Sequence, residues 1–282
     1  MSINEQIENL KAKGLAIADK GLAEDFLNDV SYFRFIKAYS LGLKEKNGNY
    51  YAETTLDQII ELYSFDSEFR SYLFPMIERI EIMLRCRLAN YFSNKYGVLS
   101  YEDSSNFSDA QHHQDFLYDI SLEIDRNRRS PFVTNFRENY SDGKIPFYAL
   151  VELFSFGTLS KYYKNMMNPD KKAIAATFGV GYTYFESWIE NIAFVRNICA
   201  HYGRLYNAKL VKTPSLYKQY SAMPTNRIFA TLICLKHLLP NDIKWASFVE
   251  TIELLLQKYP HVDKKKIGFP DDWLELLITP TA

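Results

Sequence analysis

Apolar residues recur at three- and four-residue spacing through most of the chain, in runs bounded by Gly, Pro, Asn and Ser, and alternating runs of β-branched residues are few. That pattern predicts an all-α protein. Thr54 and Thr55 can cap a helix running through Ile59, Ile60, Leu62 and Tyr63, and a second long helix is expected to start at Pro75 and end near Tyr96, before Gly97. Further helices are predicted over Asp109–Asp125, Pro146–Phe154, Leu159–Met166, Asp170–Phe178, Tyr184 to about Tyr206, Thr225–Leu239 and Ile243–Lys258. Breaks are placed at Pro131, Gly143, Gly157, Gly179, Gly181, Pro214, Pro224 and Pro240. The tail turns at Pro270 and starts a last short helix through Leu277, with Asp271 or Asp272 as its N-terminal acid. No internal repeat and no Pro/Gly/Ser-rich linker divides the chain, so residues 1–282 read as one all-helical domain.

Between Met76 and Tyr91 the apolar stripe is Ile77, Ile80, Met83, Leu84, Leu88 and Tyr91, with Glu78, Arg79, Glu81, Arg85 and Arg87 facing elsewhere. Glu81 and Arg85, four apart, read as a surface ion pair contributing a few tenths of a kcal/mol.

At 282 residues and 47% hydrophobic content, the chain can bury a sizeable core. The 21 Tyr and 20 Phe are expected to fill that core first, and only secondarily to form flat faces for stacking. A net charge of −1 supplies no global positive field, so any contact with nucleic acid has to be local. Cys86, Cys199 and Cys234 are odd in number and lack CxxC spacing, which points to a reducing compartment without a disulfide framework or zinc site. No basic segment followed by an apolar run opens the chain, and the longest apolar candidate, Ile228–Leu239, is interrupted by Lys236 and His237. A soluble, cytoplasmic protein without a membrane partner is the expectation.

No glycine-rich phosphate loop, Walker lysine, HExxH, GxSxG or Cys/His zinc spacing is present, so neither a cofactor nor a metal is expected. Acid–base chemistry then rests on five histidines. His112 and His113 open a polar helix and read as solvated; His237 sits near a helix C-terminus, where a cation complements the dipole; His261 lies in a charged turn. His201 differs, because Phe194-Val-Arg-Asn-Ile-Cys-Ala-His-Tyr-Gly-Arg-Leu-Tyr-Asn207 concentrates arginines, asparagines and an imidazole on one predicted helix. At about 100° per residue, Asn197, His201 and Arg204 share a face, and Glu190 lies on the Asn197 stripe farther back. Arg196 is about 140° from His201, so meeting one phosphate requires its side chain to curl round the helix or the helix to loosen near Gly203. Trp188, Ile192, Val195 and Cys199 form the apolar back, which makes Cys199 a small buried hydrophobe and not a nucleophile.

This segment resembles the Arg-Asn-x-x-x-His signature of HEPN ribonucleases, in the form found in abortive-infection proteins of the AbiD/AbiF type. Ser31-Tyr-Phe-Arg-Phe35, Ile77-Glu-Arg-Ile-Glu-Ile-Met-Leu-Arg85, Ser155-Phe-Gly-Thr-Leu-Ser160 and Phe269-Pro-Asp-Asp-Trp273 resemble further family segments in the same order. Tyr202 and Gly203 stand where the family often has His-Ser, so one subunit carries a single imidazole in the motif.

The resemblance implies an all-α HEPN-like bundle and metal-independent RNA cleavage, with Arg196 and His201 catalytic and Asn197, Tyr202, Arg204, Asn207 and Glu190 supporting or binding RNA. It also implies a homodimer in which two motifs meet across a two-fold axis. Arg126-Asn-Arg-Arg129, Lys171-Lys172 and Lys264-Lys-Lys266 are candidate RNA guides or solvated turn charges. The alternative is a non-catalytic module, RNA-binding or part of a toxin–antitoxin pair, that holds a structured small RNA.

Overall fold

In the computed structural model, which describes residues 1–140, 143–240 and 243–280, helices carry the fold, and pairing of extended segments is limited to three isolated bridges among the described residues. Helices α1 (Ile3–Ala12) and α2 (Lys20–Asp29) pack on each other through Ile7, Leu10, Ala23 and Leu27. Ser2 and Glu5 close a capping box at the first of them. A π-helical turn, Phe33–Lys37, then leads through a loop to α3 (Leu56–Tyr96).

Helix α3 is one uninterrupted element of 41 residues, about 60 Å long, where the sequence suggested two helices meeting at Pro75. Thr55 and Gln58 form its capping box. Pro75 removes the donor to the Ser71 carbonyl, but Pro75 and Ser71 both lie on the exposed side, where water can serve that carbonyl. On the other side Phe65, Phe69, Leu73, Met76, Ile77 and Ile80 bury an unbroken stripe, and this burial carries the helix across the proline.

The succeeding helices wrap this axis. They are α4 (Ala110–Arg126), α5 (Pro131–Asn139), α6 (Phe147–Leu150), α7 (Phe156–Asn165), α8 (Asn168–Thr177), α9 (Tyr182–Ala200), α10 (Ile228–Leu238), α11 (Ile243–Lys258) and α12 (Trp273–Ile278). Pro131 begins a helix instead of only ending one, and Gly157 lies inside α7 rather than at a break. Helix α3 packs against α6 to α11, and α9 packs against α3, α7, α8 and α10, so these two elements form the spine of the bundle.

Aromatics fill the interior, as Phe92, Phe107, Phe116 and Phe147 do around Tyr162. A buried carboxylate joins α8 to α3: Asp170 accepts the Tyr91 and Tyr96 hydroxyls at 2.7 Å each and pairs with the Lys95 ammonium. Burial of Asp170 raises its pKa, and these three donors outweigh it and hold the carboxyl below its ordinary value. No helix among the described residues is long and apolar enough to cross a membrane.

Candidate functional site

Helix α9 carries the Arg-Asn-x-x-x-His segment and ends at Ala200, earlier than the Tyr206 expected from periodicity. His201 is the C-cap. The Gly203 N–H donates to the Ile198 carbonyl at 2.7 Å and the Tyr202 N–H to that of Cys199 at 3.2 Å, the paired bonds of a Schellman closure. The left-handed position in such a closure is usually glycine; here it is Tyr202, at φ +57°. An aromatic residue there costs on the order of 1–2 kcal/mol. Glycine is needed one residue later for a different reason, since a Cβ on Gly203 would stand 2.9 Å from Ile198 Cγ2 and 3.2 Å from its carbonyl oxygen.

Two remote elements hold this turn. Arg34, on the π-helical turn, donates Nη1 to the Tyr202 carbonyl at 2.8 Å. Asp66, fully buried on α3, accepts the Tyr206 N–H at 2.7 Å, the Leu205 N–H at 3.0 Å, the Tyr39 hydroxyl at 2.7 Å and Arg70 Nη1 at 2.6 Å. Burial pushes the Asp66 carboxyl up, against the pull of Arg70 and the other donors, and burial beside that carboxylate also raises the Tyr39 hydroxyl. Farther along, Trp188 Nε1 bonds the Ser215 carbonyl at 2.5 Å and Asn191 Nδ2 that of Lys212 at 2.7 Å, clipping the next loop back along α9.

His201 is exposed, and its imidazole has no hydrogen-bond partner among the described residues; Asn197, also exposed, is one turn behind it. Arg196 leaves α9 in another direction. Its Nε lies 3.3 Å from Glu81 Oε2, near enough for an ion pair but not aligned for a hydrogen bond, so this N–H is buried without one. The guanidinium sits 5.7 Å from the Phe74 ring centre. Glu81 also accepts Arg85 Nη2 at 3.0 Å, and Arg85 continues to the carbonyls of Phe154, at 2.8 Å, and Val151. Beside them is a small cavity of about 130 Å³ lined by Phe74, Glu78, Glu81, Ile82, Arg85 and Arg196.

Several expectations change here. Glu81 and Arg85 are no surface pair: their side chains are only 12% and 13% exposed, and they connect α3 to Arg196. Because the helix stops at Ala200, Arg204 does not continue the face of Asn197 and His201; it is half-buried, donates to the Tyr206 carbonyl at 2.6 Å, and burial lowers its pKa. Asn207 is a bracket, donating to the Leu41 carbonyl at 3.2 Å and accepting Arg227 at 3.3 Å. Glu190 pairs with Lys212 at 2.6 Å and borders a cavity among α4 and α7 residues, away from the motif's end. Tyr202 is 71% exposed next to His201.

Cys199 is buried, and burial pushes its thiol up to about 12, which fits the core role read from the sequence. His113 is buried, bonded to the Tyr101 carbonyl at 2.8 Å and stacked on Phe107, so only His112 of that pair is solvated. His237 does not serve as a helix-end cation; burial among Trp188, Tyr217 and Tyr220 lowers its pKa to about 4. His261 pairs with Glu61. Lys171, a candidate RNA guide, is buried and committed to Glu186 at 3.0 Å and the Lys164 carbonyl, whereas Lys266 lies near Asn207.

Sequence reading missed Asp66, Arg34 and the Arg196–Glu81 link. Asp66 had a signal: it interrupts the stripe of Leu62, Phe65, Phe69 and Leu73, with Arg70 four residues on. Arg34 lies inside the family-like segment 31–35, but nothing local marked it as a partner of the Tyr202 carbonyl.

An all-α bundle whose motif helix ends in a solvent-open histidine, locked from below by a buried acid, is the class of protein these features define. The family model for Abi-like proteins matches residues 25–207, which span the π-helical turn, α3 and all of α9. The chain belongs to the Abi-like family, and membership supports a role in abortive infection. No curated protein and no solved structure matches the chain.

Proposed function

We propose that this protein is a cytoplasmic, metal-independent endoribonuclease of the HEPN type, acting in abortive infection as a homodimer. The observation that carries the reading is His201: an exposed imidazole at a closed helix end, with no partner among the described residues, is open to a substrate and free for proton transfer. The ribose 2′-oxygen attacks the adjacent phosphorus as its proton passes to a base; the 5′-oxygen leaves with a proton from an acid, giving a 2′,3′-cyclic phosphate. His201 serves one proton transfer and positive charge from Arg196 stabilises the dianionic transition state.

One imidazole does not readily do both proton transfers, and Arg196 is turned toward Glu81 instead of His201. A second motif across a two-fold axis supplies the other imidazole and brings the arginine of one chain to the histidine of the other. Asn197, one turn behind His201, holds the imidazole or a phosphate oxygen in this reading. Incubation of labelled RNA with wild type and with His201→Ala, in the presence of EDTA, tests this: the wild type cleaves to cyclic-phosphate ends and the variant does not. Loss of wild-type cleavage on chelation overturns the metal-free step.

The engagement of Arg196 by Glu81 favours a second reading, a module that holds a structured small RNA without cutting it. Equal binding by wild type and His201→Ala, with no cleavage by either, selects it.

A further inference from the structure

Some exposed cations of this protein are matched by nearby carboxylates: Lys11 with Glu8, Lys212 with Glu190, Lys258 with Glu68. Those around the end of α9 are not. Lys37, Lys44 and Lys266 have no carboxylate within ion-pairing distance among the described residues, and Arg34 is spent on a carbonyl, which leaves its charge uncompensated.

The four belong to one surface. Arg34 and Lys37 are three apart on the π-helical turn; Gly42 lies on the same loop, and a Cβ there would be 3.5 Å from Lys266 Nζ and 3.6 Å from Asn207 Nδ2. Lys44 is partly buried over the Tyr50 ring, and burial together with Lys13 and Lys37 lowers its pKa, which reports like charges held close.

Two rings stand out of the same surface. Phe33 is 77% exposed and Tyr202 71%, in a chain that buries most of its aromatics. They are joined through Arg34, the residue after Phe33, which binds the carbonyl of Tyr202 itself. Tyr202 is also the residue held in the left-handed conformation that glycine would adopt without cost, and strain of this kind gathers at binding sites.

We infer that this surface binds single-stranded RNA, its bases stacking on Phe33 and Tyr202 and its phosphates running over Arg34, Lys37, Lys44 and Lys266 toward His201. A duplex hides its base faces and cannot use the two rings; a single strand offers a π-face at every nucleotide. The inference rests on the proposed reading that RNA is the substrate, and it names the form of RNA and the path it takes.

Fluorescence anisotropy with a labelled 12-nucleotide oligouridylate tests it, using His201→Ala as the parent so that the ligand stays intact. Phe33→Ala and Tyr202→Gly are each expected to weaken binding about ten-fold. Lys37→Ala combined with Lys266→Ala should flatten the slope of log affinity against log salt by about 1.4, at about 0.7 per phosphate contact. A hairpin duplex of matched charge should bind more weakly than the single strand. All four substitutions are on the surface, and circular dichroism melting checks that each variant folds.

Unchanged oligouridylate binding in all the variants overturns the inference even if wild type cleaves RNA. So does preferential capture by phosphatidylserine vesicles, which would make the exposed Phe33 and the lysines a membrane contact. Binding that maps to these residues in a protein that cuts no RNA supports the inference and sinks only the nuclease reading.

Discussion

The Asp66 carboxylate, fully buried in the first third of α3, accepts the backbone N–H of Tyr206 at 2.7 Å. One acid 140 residues earlier in the chain thereby determines where the segment after His201 runs. Its other donors, Tyr39, Arg70 and Leu205, come from three further positions, so the loop before α3, α3 itself and the turn after α9 close on a single pair of oxygens.

Replacing Asp66 by Ala leaves the Arg70 guanidinium and two backbone donors buried without an acceptor. A loss of about 3–5 kcal/mol in urea unfolding is expected. Asp66→Asn keeps one carbonyl oxygen and should lose less. Equal stability of Asp66→Ala and wild type would show that water replaces the carboxylate freely.

The turn at His201 holds two residues with opposite demands. Tyr202→Gly removes left-handed strain at an exposed side chain and should raise stability by up to about 1 kcal/mol. Gly203→Ala forces a Cβ against Ile198 and should lower it by about 1–3 kcal/mol. Urea midpoints moving in the same direction for both would contradict the geometry of the closure.

His237 supplies a pH dependence. Its folded-state pKa of about 4 lies below the ordinary 6.5, so the unfolded chain binds the proton more readily between these values. The sign follows: the contribution is intact above pH 6.5, is lost as pH falls toward 4, and levels off below. The full loss is at most about 3 kcal/mol, reduced by solvent screening of the half-buried ring. Unfolding free energies of wild type and His237→Phe, measured from pH 7.5 to 4, should diverge in this window, with the variant the less sensitive to acid.

A site built from both subunits makes a quantitative claim about mixing. Where each active centre needs the imidazoles of two chains, equimolar refolding of wild type with His201→Ala leaves roughly a quarter of the dimers competent. Cleavage should fall to about that fraction of the rate of an equal total amount of wild type. A fall to one half would mean that each chain carries its own centre.

Glu81 separates packing from chemistry. Glu81→Gln removes the charge between Arg85 and Arg196, both partly shielded from water, and should cost about 1–3 kcal/mol in thermal or urea unfolding. A neutral effect would show the Arg196 contact to be incidental to folding.

Periodicity alone was enough to show that the chain is helical and that Trp188, Ile192, Val195 and Cys199 form the buried back of the motif helix. These are local properties, because a stripe repeating every three to four residues commits a segment to helix and selects its buried face wherever it packs. Tertiary packing decided the rest. Whether Pro75 breaks a helix depended on the burial of residues on both sides of it, and whether α9 reaches Tyr206 depended on Asp66 and Arg34, whose acceptance and donation close the turn at Gly203. The partner of Arg196 likewise came from another helix, because a guanidinium on a long side chain goes to whichever carboxylate the fold brings within reach, and spacing along one helix carries no record of that.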